Sequence, residues 1–312
     1  MKVLFLDSVH PILEEKLSAS GYSCDHDYTS TREEIRNKLI DYTGLVIRSR
    51  IKLDKNILEA APSLKWIARS GSGMENIDLA FAEMMNIRCI NSPEGNADAV
   101  GEHVVGMLLM LLNKLNIAND EVKKGLWRRE ENRGTEISSK VFSIIGFGVM
   151  GKKLAEKLSG FGCEILAHDK YKTGFSNHFV KETALVEIFE RSDFVSIHLP
   201  LNTETTHYAN EKFFKSFKKS IVFINASRGK NLDTAALADA LKNGHVSGAC
   251  LDVIEFEKAS LEGLDLNEIP SSLQTLFDSA RVIFSPHIAG WTDESYYKLS
   301  YMLAEKILKE EN

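Results

Sequence analysis

Positive charge is in deficit in this chain of 312 residues: 38 Lys and Arg stand against 44 Asp and Glu, a formal net charge of −6. Such a surface offers little to nucleic-acid phosphates, so a nucleic-acid binder is not expected. Long hydrophobic runs are missing too. The longest, Val104–Leu112, is interrupted by Gly106 and is far too short to span a bilayer. Met1–Leu6 ends at Asp7 without the apolar segment of a secretory signal. Cys24, Cys89, Cys163 and Cys250 are scattered, with no C-x-x-C and no metal-ligand spacing. They read as buried thiols in a reducing compartment, and no metal site is expected. Internal repeats and low-complexity tracts are absent. What remains is the expectation of a soluble, cytoplasmic globular protein, long enough for two domains.

What the chain does have is a glycine turn in an informative setting. Gly146-Phe147-Gly148-Val149-Met150-Gly151 follows the apolar run Lys140–Ile145 and precedes the helix-like stretch Lys152–Leu158. A second apolar run, Cys163–Ala167, leads to Asp169. Glycine-rich turns alone are common, but strand, glycine turn, helix, strand and acid in this order make a dinucleotide-binding unit. Gly146 permits the tight turn, Gly148 lets backbone approach a pyrophosphate, and Gly151 lets helix and strand pack closely. The pyrophosphate sits at the helix N-terminus. Asp169 would hold a ribose 2′-hydroxyl and repel a 2′-phosphate, which predicts NAD rather than NADP.

The region before this turn has its own alternation. Strands are expected at Lys2–Leu6, Gly44–Arg48, Leu64–Ala68 and Arg88–Ile90, with helices at Pro11–Ser18, Arg32–Leu39 and Leu79–Met85. Ala97–Leu115 reads as one long apolar helix, buried between domains or at a subunit interface. Beyond the turn, strands are expected at Phe194–Leu199, Ile221–Asn225, Gly248–Val253 and Val282–Ser285, with a helix at Thr234–Lys242. The last segment, Thr292–Leu308, has helical spacing and should pack back on the first domain. Ala259–Ser279 is weakly patterned and reads as a surface excursion. The expected fold is therefore α/β, with two Rossmann-like parallel-sheet domains. A central NAD-binding domain, 97–290, is inserted in a flavodoxin-like substrate domain, 1–96 and 291–312.

Three strand ends combine turns with ionisable groups: Asn225-Ala226-Ser227-Arg228-Gly229, Asp252-Val253-Ile254-Glu255-Phe256-Glu257 and Ser285-Pro286-His287-Ile288-Ala289-Gly290. Open α/β sheets bind ligands at such ends. Hydride transfer to a ketone needs a proton donor, and histidine suits the task. His287 and Glu257 could form a tautomer-fixing pair, with Arg228 holding a carboxylate. Equally, a His after Pro in a turn can do no more than cap a strand.

Six segments now stand in order: Gly71–Asp78, Gly95-Asn96-Ala97 with Gly101-Glu102-His103, the glycine turn, Asn225–Gly229, Leu251–Glu257 and Ser285–Gly290. In them the chain resembles the D-isomer-specific 2-hydroxyacid dehydrogenases over nearly its whole length. The resemblance implies that Arg228, Glu257 and His287 are catalytic and that amides near Ser72 and Gly73 bind the substrate carboxylate. It implies cofactor contacts from Val149, Met150, Asp169, Ala226, Ser227, Asp252 and Gly290, and a homodimer or homotetramer built around the helix starting near Ala97. His198 is expected to shape the nicotinamide pocket. His103, on the apolar helix, reads as a packing residue.

Arg48 and Arg50 would point to one side of an extended segment and could together hold a phosphate. Arg48-Ser49-Arg50, with Asn225–Gly229 and Pro93–Ala97, is similar to the D-3-phosphoglycerate dehydrogenase branch of the family, which implies D-3-phosphoglycerate as the substrate, oxidised to 3-phosphohydroxypyruvate in serine biosynthesis. The expected partner is thus a small 2-hydroxy or 2-oxo acid, phosphorylated or not. Glyoxylate or hydroxypyruvate reduction is the alternative, and an NAD-binding regulator of corepressor type a remote one. Departures from the family pattern are Lys258 in place of proline, Glu75 in place of Asp, the long 259–279 stretch and the bulky Trp291. A regulatory domain beyond Asn312, and feedback inhibition through one, are not expected.

Overall fold

A computed structural model describes residues 1–257 and 269–309. The described chain forms two compact units, one made of Met1–Ala97 with the segment from Trp291 onward, the other lying between Asp98 and Gly290. Each is a parallel sheet covered by helices, as the strand–helix alternation predicts.

In the first unit five strands, β1 (Lys2–Phe5), β2 (Ser23–His26), β3 (Gly44–Ile47), β4 (Trp66–Arg69) and β5 (Arg88–Asn91), lie in the order β2-β1-β3-β4-β5. This is the flavodoxin-like order. β3 is buried along its whole length, since a central parallel strand is covered on both faces. One apolar layer includes Leu4, Leu45, Ile47 and Ile67. The other includes Val3, Phe5, Trp66 and, from the helix Asp293–Lys309, Leu303, Ala304 and Ile307.

In the second unit seven strands follow: β6 (Val141–Ile145), β7 (Glu164–His168), β8 (Lys181–Glu182), β9 (Phe194–Ile197), β10 (Ile221–Asn225), β11 (Val246–Leu251) and β12 (Val282–Phe284). Their order, β12-β11-β10-β9-β6-β7-β8, reverses direction at β6 and β9. That reversal is the topological switch point of a Rossmann sheet, outside whose strand ends a dinucleotide binds.

Three expectations need correction. The helix from Ala97 stops at Leu112, and a second one runs Leu115–Lys123 after Lys114 takes a left-handed φ of 50°. The segment 259–279 is no mere excursion where it is described: Ser271–Phe277 is a helix that buries Leu273 and Leu276; its first part lies outside the described residues. Among the thiols only Cys250 is fully buried, the other three being half-buried. Burial pushes all four above the usual thiol range. Among the described residues no helix is long and apolar enough to cross a membrane.

Candidate active site

The glycine turn lies between β6 and the helix Val149–Leu158. Gly146 has a φ of 93°, and a Cβ there would collide with the backbone oxygen of His198, at the end of β9. A Cβ at Gly151 would collide with the Gly146 oxygen, so the helix sits on the turn with no room between them. Gly148 faces open space, its nearest neighbour being the Lys172 ammonium at 4.0 Å from where a Cβ would stand. Val149 and Met150 occupy the first helical turn, half-buried. Asp169 follows β7 and accepts from the amides of Phe147 (2.8 Å), Tyr171 (2.9 Å) and Lys172 (3.1 Å), so the acid is locked to the glycine turn.

His198 adds an independent sign of a ligand. Its Nε2 bonds Ser196 Oγ at 2.9 Å, whereas Nδ1 is buried without a partner. Burial pushes this imidazole down to about 4, so it is neutral. An orphaned buried nitrogen beside a glycine cradle and an open helix N-terminus fits a dinucleotide.

Three adjacent strands deliver the reactive groups. After β10, Asn225 is fully buried; its Nδ2 donates to the Arg228 carbonyl (2.9 Å) and its Oδ1 accepts from Ser227 N (3.0 Å) and Oγ (2.7 Å). Ser227 Oγ also meets Asn231 Oδ1 at 3.2 Å. The Ser227 hydroxyl is thus committed to its own loop, and Ala226 packs on the core. Arg228 is extended, with Nη1 donating to the Ser227 carbonyl at 2.7 Å. A Cβ on Gly229 would run into the carbonyl of Ile254, so this loop rests directly on the one after β11. That neighbouring loop is tied in its middle, since Glu255 takes His207 Nε2 (2.6 Å) and the Thr234 amide (3.0 Å).

His287 and Glu257 meet. His287 Nδ1 lies 2.8 Å from Glu257 Oε2, and Glu257 Oε1 accepts the Ile254 amide at 3.2 Å. Both side chains are half-buried. His287 carries a φ of 57°, unusual for a side-chain-bearing residue. Gly290 closes this loop, half-buried. Asp252 is only 1% exposed, and its carboxylate takes the amides of Ile288 and Ala289 at 2.9 Å each. Asp252 thus clamps the His287 loop from a buried position. His103, expected only to pack, bonds Ser285 Oγ through Nε2 at 2.8 Å.

In the first unit, Ser72 Oγ donates to Asn96 Oδ1 (2.8 Å) and its carbonyl accepts from Asn91 Nδ2 (2.6 Å), next to buried Gly73. Arg48 and Arg50 do not pair. Residues 48–50 form a bend, not an extended segment. Arg50 donates to the carbonyls of Leu6 (2.9 Å), Ser30 (2.8 Å) and Asp27 (2.7 Å) and so fastens three loops. Arg48 instead lies 4.3 Å over the ring of Trp291, a cation–π stack. Sequence reading missed that stack because no periodicity links positions 48 and 291. Among the described residues no group of three His, Cys, Asp or Glu is arranged to hold a metal.

Residues 105–289, more than half of the chain, match the family described as D-isomer specific 2-hydroxyacid dehydrogenase, NAD binding domain. D-3-phosphoglycerate dehydrogenase of Sus scrofa is 32% identical over 299 residues, covering 94% of this chain and 53% of that protein. The chain thus spans about half the length of the curated relatives it matches. Among solved structures, D-lactate dehydrogenase from Aquifex aeolicus, complexed with NAD and lactic acid, is 27% identical with a TM-score of 0.82, covering 98% of this chain and 94% of that one. An acyclic imino acid reductase in complex with NADPH and D-Arg is 24% identical with a TM-score of 0.85, covering 99% and 97%; it shares the fold.

Proposed function

The chain belongs to the D-isomer-specific 2-hydroxyacid dehydrogenases, and we propose that it interconverts a D-2-hydroxy acid and its 2-oxo acid, with NAD preferred over NADP. The observation that carries this reading is the 2.8 Å bond between His287 Nδ1 and Glu257 Oε2, on strand ends beside the Arg228 loop. Bound NADH would supply the hydride for C2. With Nδ1–H directed at Glu257, His287 presents Nε2 as the atom that gives a proton to the carbonyl oxygen in reduction and takes it back in oxidation. Glu257, itself fixed by the Ile254 amide, holds the ring in that orientation and tautomer. Arg228 contributes a fixed positive charge for the substrate carboxylate and the developing alkoxide. Ser72 and Gly73, by family resemblance, take the carboxylate. Asp169, locked to the glycine turn, keeps a negative charge where a 2′-phosphate would sit.

The finer reading is D-3-phosphoglycerate, oxidised to 3-phosphohydroxypyruvate, with Arg48 as the phosphate partner. It is supported by the likeness to phosphoglycerate dehydrogenases and by the stack that holds the Arg48 guanidinium. One observation favours unphosphorylated acids instead: Arg50 is committed to backbone carbonyls, which leaves one guanidinium for a dianion. Self-association is part of the proposal, since Met110, Leu115, Val122, Leu126 and Trp127 expose apolar surface on and after the two consecutive helices.

The test is oxidation of NADH and NADPH by the purified protein with 3-phosphohydroxypyruvate, hydroxypyruvate, glyoxylate and pyruvate, alongside His287→Gln. We expect NADH to be preferred, the phosphorylated acid to give the highest kcat/KM, and the variant to lose about 10²–10⁴ in kcat with NADH binding intact. Equal or better turnover of unphosphorylated acids would remove the phosphoglycerate reading alone. An undiminished His287→Gln would remove the mechanism.

A further inference from the structure

Asp252 is the residue from which the His287 loop hangs. Its backbone carbonyl accepts the amide of His287 at 2.7 Å. Its carboxylate accepts the next two amides, Ile288 on Oδ1 and Ala289 on Oδ2, at 2.9 Å each. Three successive N–H groups converge on one residue. The chain meets that demand by turning His287 into the left-handed region, at φ 57°. The backbone conformation that aims the imidazole is therefore set by where this carboxylate sits.

The carboxylate is in turn held from the other side. Ser285 Oγ lies 2.6 Å from Asp252 Oδ1. His103, reaching in from the helix Ala97–Leu112, places Nε2 2.8 Å from that hydroxyl and 3.4 Å from Oδ1 itself. Burial opposes ionisation of Asp252. The bonds from His103, Ser285 and the Ala289 and Ile288 amides outweigh it and hold the carboxyl below its ordinary range. An ionised carboxylate only accepts, so the single hydroxyl hydrogen of Ser285 points to it, and Nε2 of His103 must be the donor to Ser285.

We propose that His103 is a positioning residue of the reaction, acting through Ser285 and Asp252 on the backbone of His287. It touches none of the reacting groups. Its Nε2–H completes the set of donors that steadies the carboxylate through Ser285, and a rotation of that carboxylate releases the Ile288 and Ala289 amides together. The inference rests on the function proposed above for its catalytic consequence, but not for its structural one.

The experiment compares His103→Leu, which keeps bulk and loses the donor, with His103→Gln, whose terminal amide can return an N–H to the same place. Ser285→Ala cuts the relay in its middle. Two quantities are read: amide hydrogen exchange at Ile288 and Ala289 in the ligand-free protein, and kcat with KM for NADH. His103→Leu and Ser285→Ala should raise exchange at both amides and lower kcat about tenfold with KM for NADH little changed, as small misplacements of a catalytic group do. His103→Gln should recover most of both. Exchange and kcat unchanged in His103→Leu, or a Gln variant as impaired as the Leu variant, would reduce His103 to packing and overturn the proposal. If His103→Leu fails to fold, Ser285→Ala carries the same prediction. If the wild-type protein turns over no 2-oxo acid, the function proposed above falls, and the exchange rates alone decide the positioning.

Discussion

The backbone of Gly229 lies so close to Ile254 that any Cβ at position 229 would overlap the Ile254 carbonyl oxygen and stand 2.8 Å from the Glu255 nitrogen. Neither neighbour is the yielding end of a side chain. The loop carrying Arg228 and the loop carrying Glu257 are therefore registered against each other through backbone.

Gly229→Ala should force those loops apart. The expected result is a fall in kcat of about a hundredfold, because a displacement near 1 Å is enough. A stability loss of roughly 1–3 kcal/mol, typical of overpacking, should accompany it. Steady-state kinetics and a thermal melt read the two effects, and an alanine variant with wild-type kinetics would show that the registration is not used.

Arg48 and Arg50 should separate cleanly. Arg50→Ala strips three carbonyls of a donor and should lower stability by roughly 1–2 kcal/mol while leaving relative KM values for phosphorylated and unphosphorylated acids unchanged. Arg48→Ala should do the reverse, raising KM for the phosphorylated acid about ten- to hundredfold, the worth of one charge-assisted contact. Equal shifts of KM for every acid in Arg48→Ala would take the phosphate away from this residue.

His198 predicts a pH dependence of the ligand-free protein. The unfolded chain takes up a proton near 6.5, whereas burial keeps the folded imidazole neutral down to about 4. Protonation thus favours the unfolded state in that window. Stability should be full above pH 6.5 and fall as the pH drops toward 4, by about 2 kcal/mol between pH 7.5 and 5.0 from this group. Urea titrations at the two pH values should give a smaller difference for His198→Gln. Parallel losses in wild type and variant would assign the acid sensitivity to other groups.

The sequence was most legible where local signals and burial agree. Ile221–Asn225 is a continuous apolar run in a central strand, and Thr234–Lys242 begins after Asp233, whose side chain accepts the Ala236 amide. Both elements have the limits expected of them. Ser23–His26 escaped notice because an edge strand of polar residues, never fully buried, has no apolar pattern. The helix break at Lys114 has neither Gly nor Pro to announce it. In the candidate site, the pairing of His287 with Glu257 was suggested by chemistry at neighbouring strand ends. The work of Arg50, His103 and Trp291 was not visible, because their partners stand far away in sequence. A guanidinium looks the same on the page whether it meets a phosphate or the carbonyls of residues 6, 27 and 30. The hold of Asp252 on the amides of Ile288 and Ala289 is equally invisible in the sequence.

The arrangement around Asp252 also sets what can be varied. Asn at this position would keep the shape but turn a donor toward an amide that is already a donor, and Glu would carry the acceptors one carbon too far. No natural side chain offers a graded substitute, so position 252 works as a switch with two settings, assembled or not. Positions 103 and 285, which only steady the carboxylate, behave as a dial. An engineer wishing to loosen or tighten the aim of His287 has two adjustable screws and one bolt.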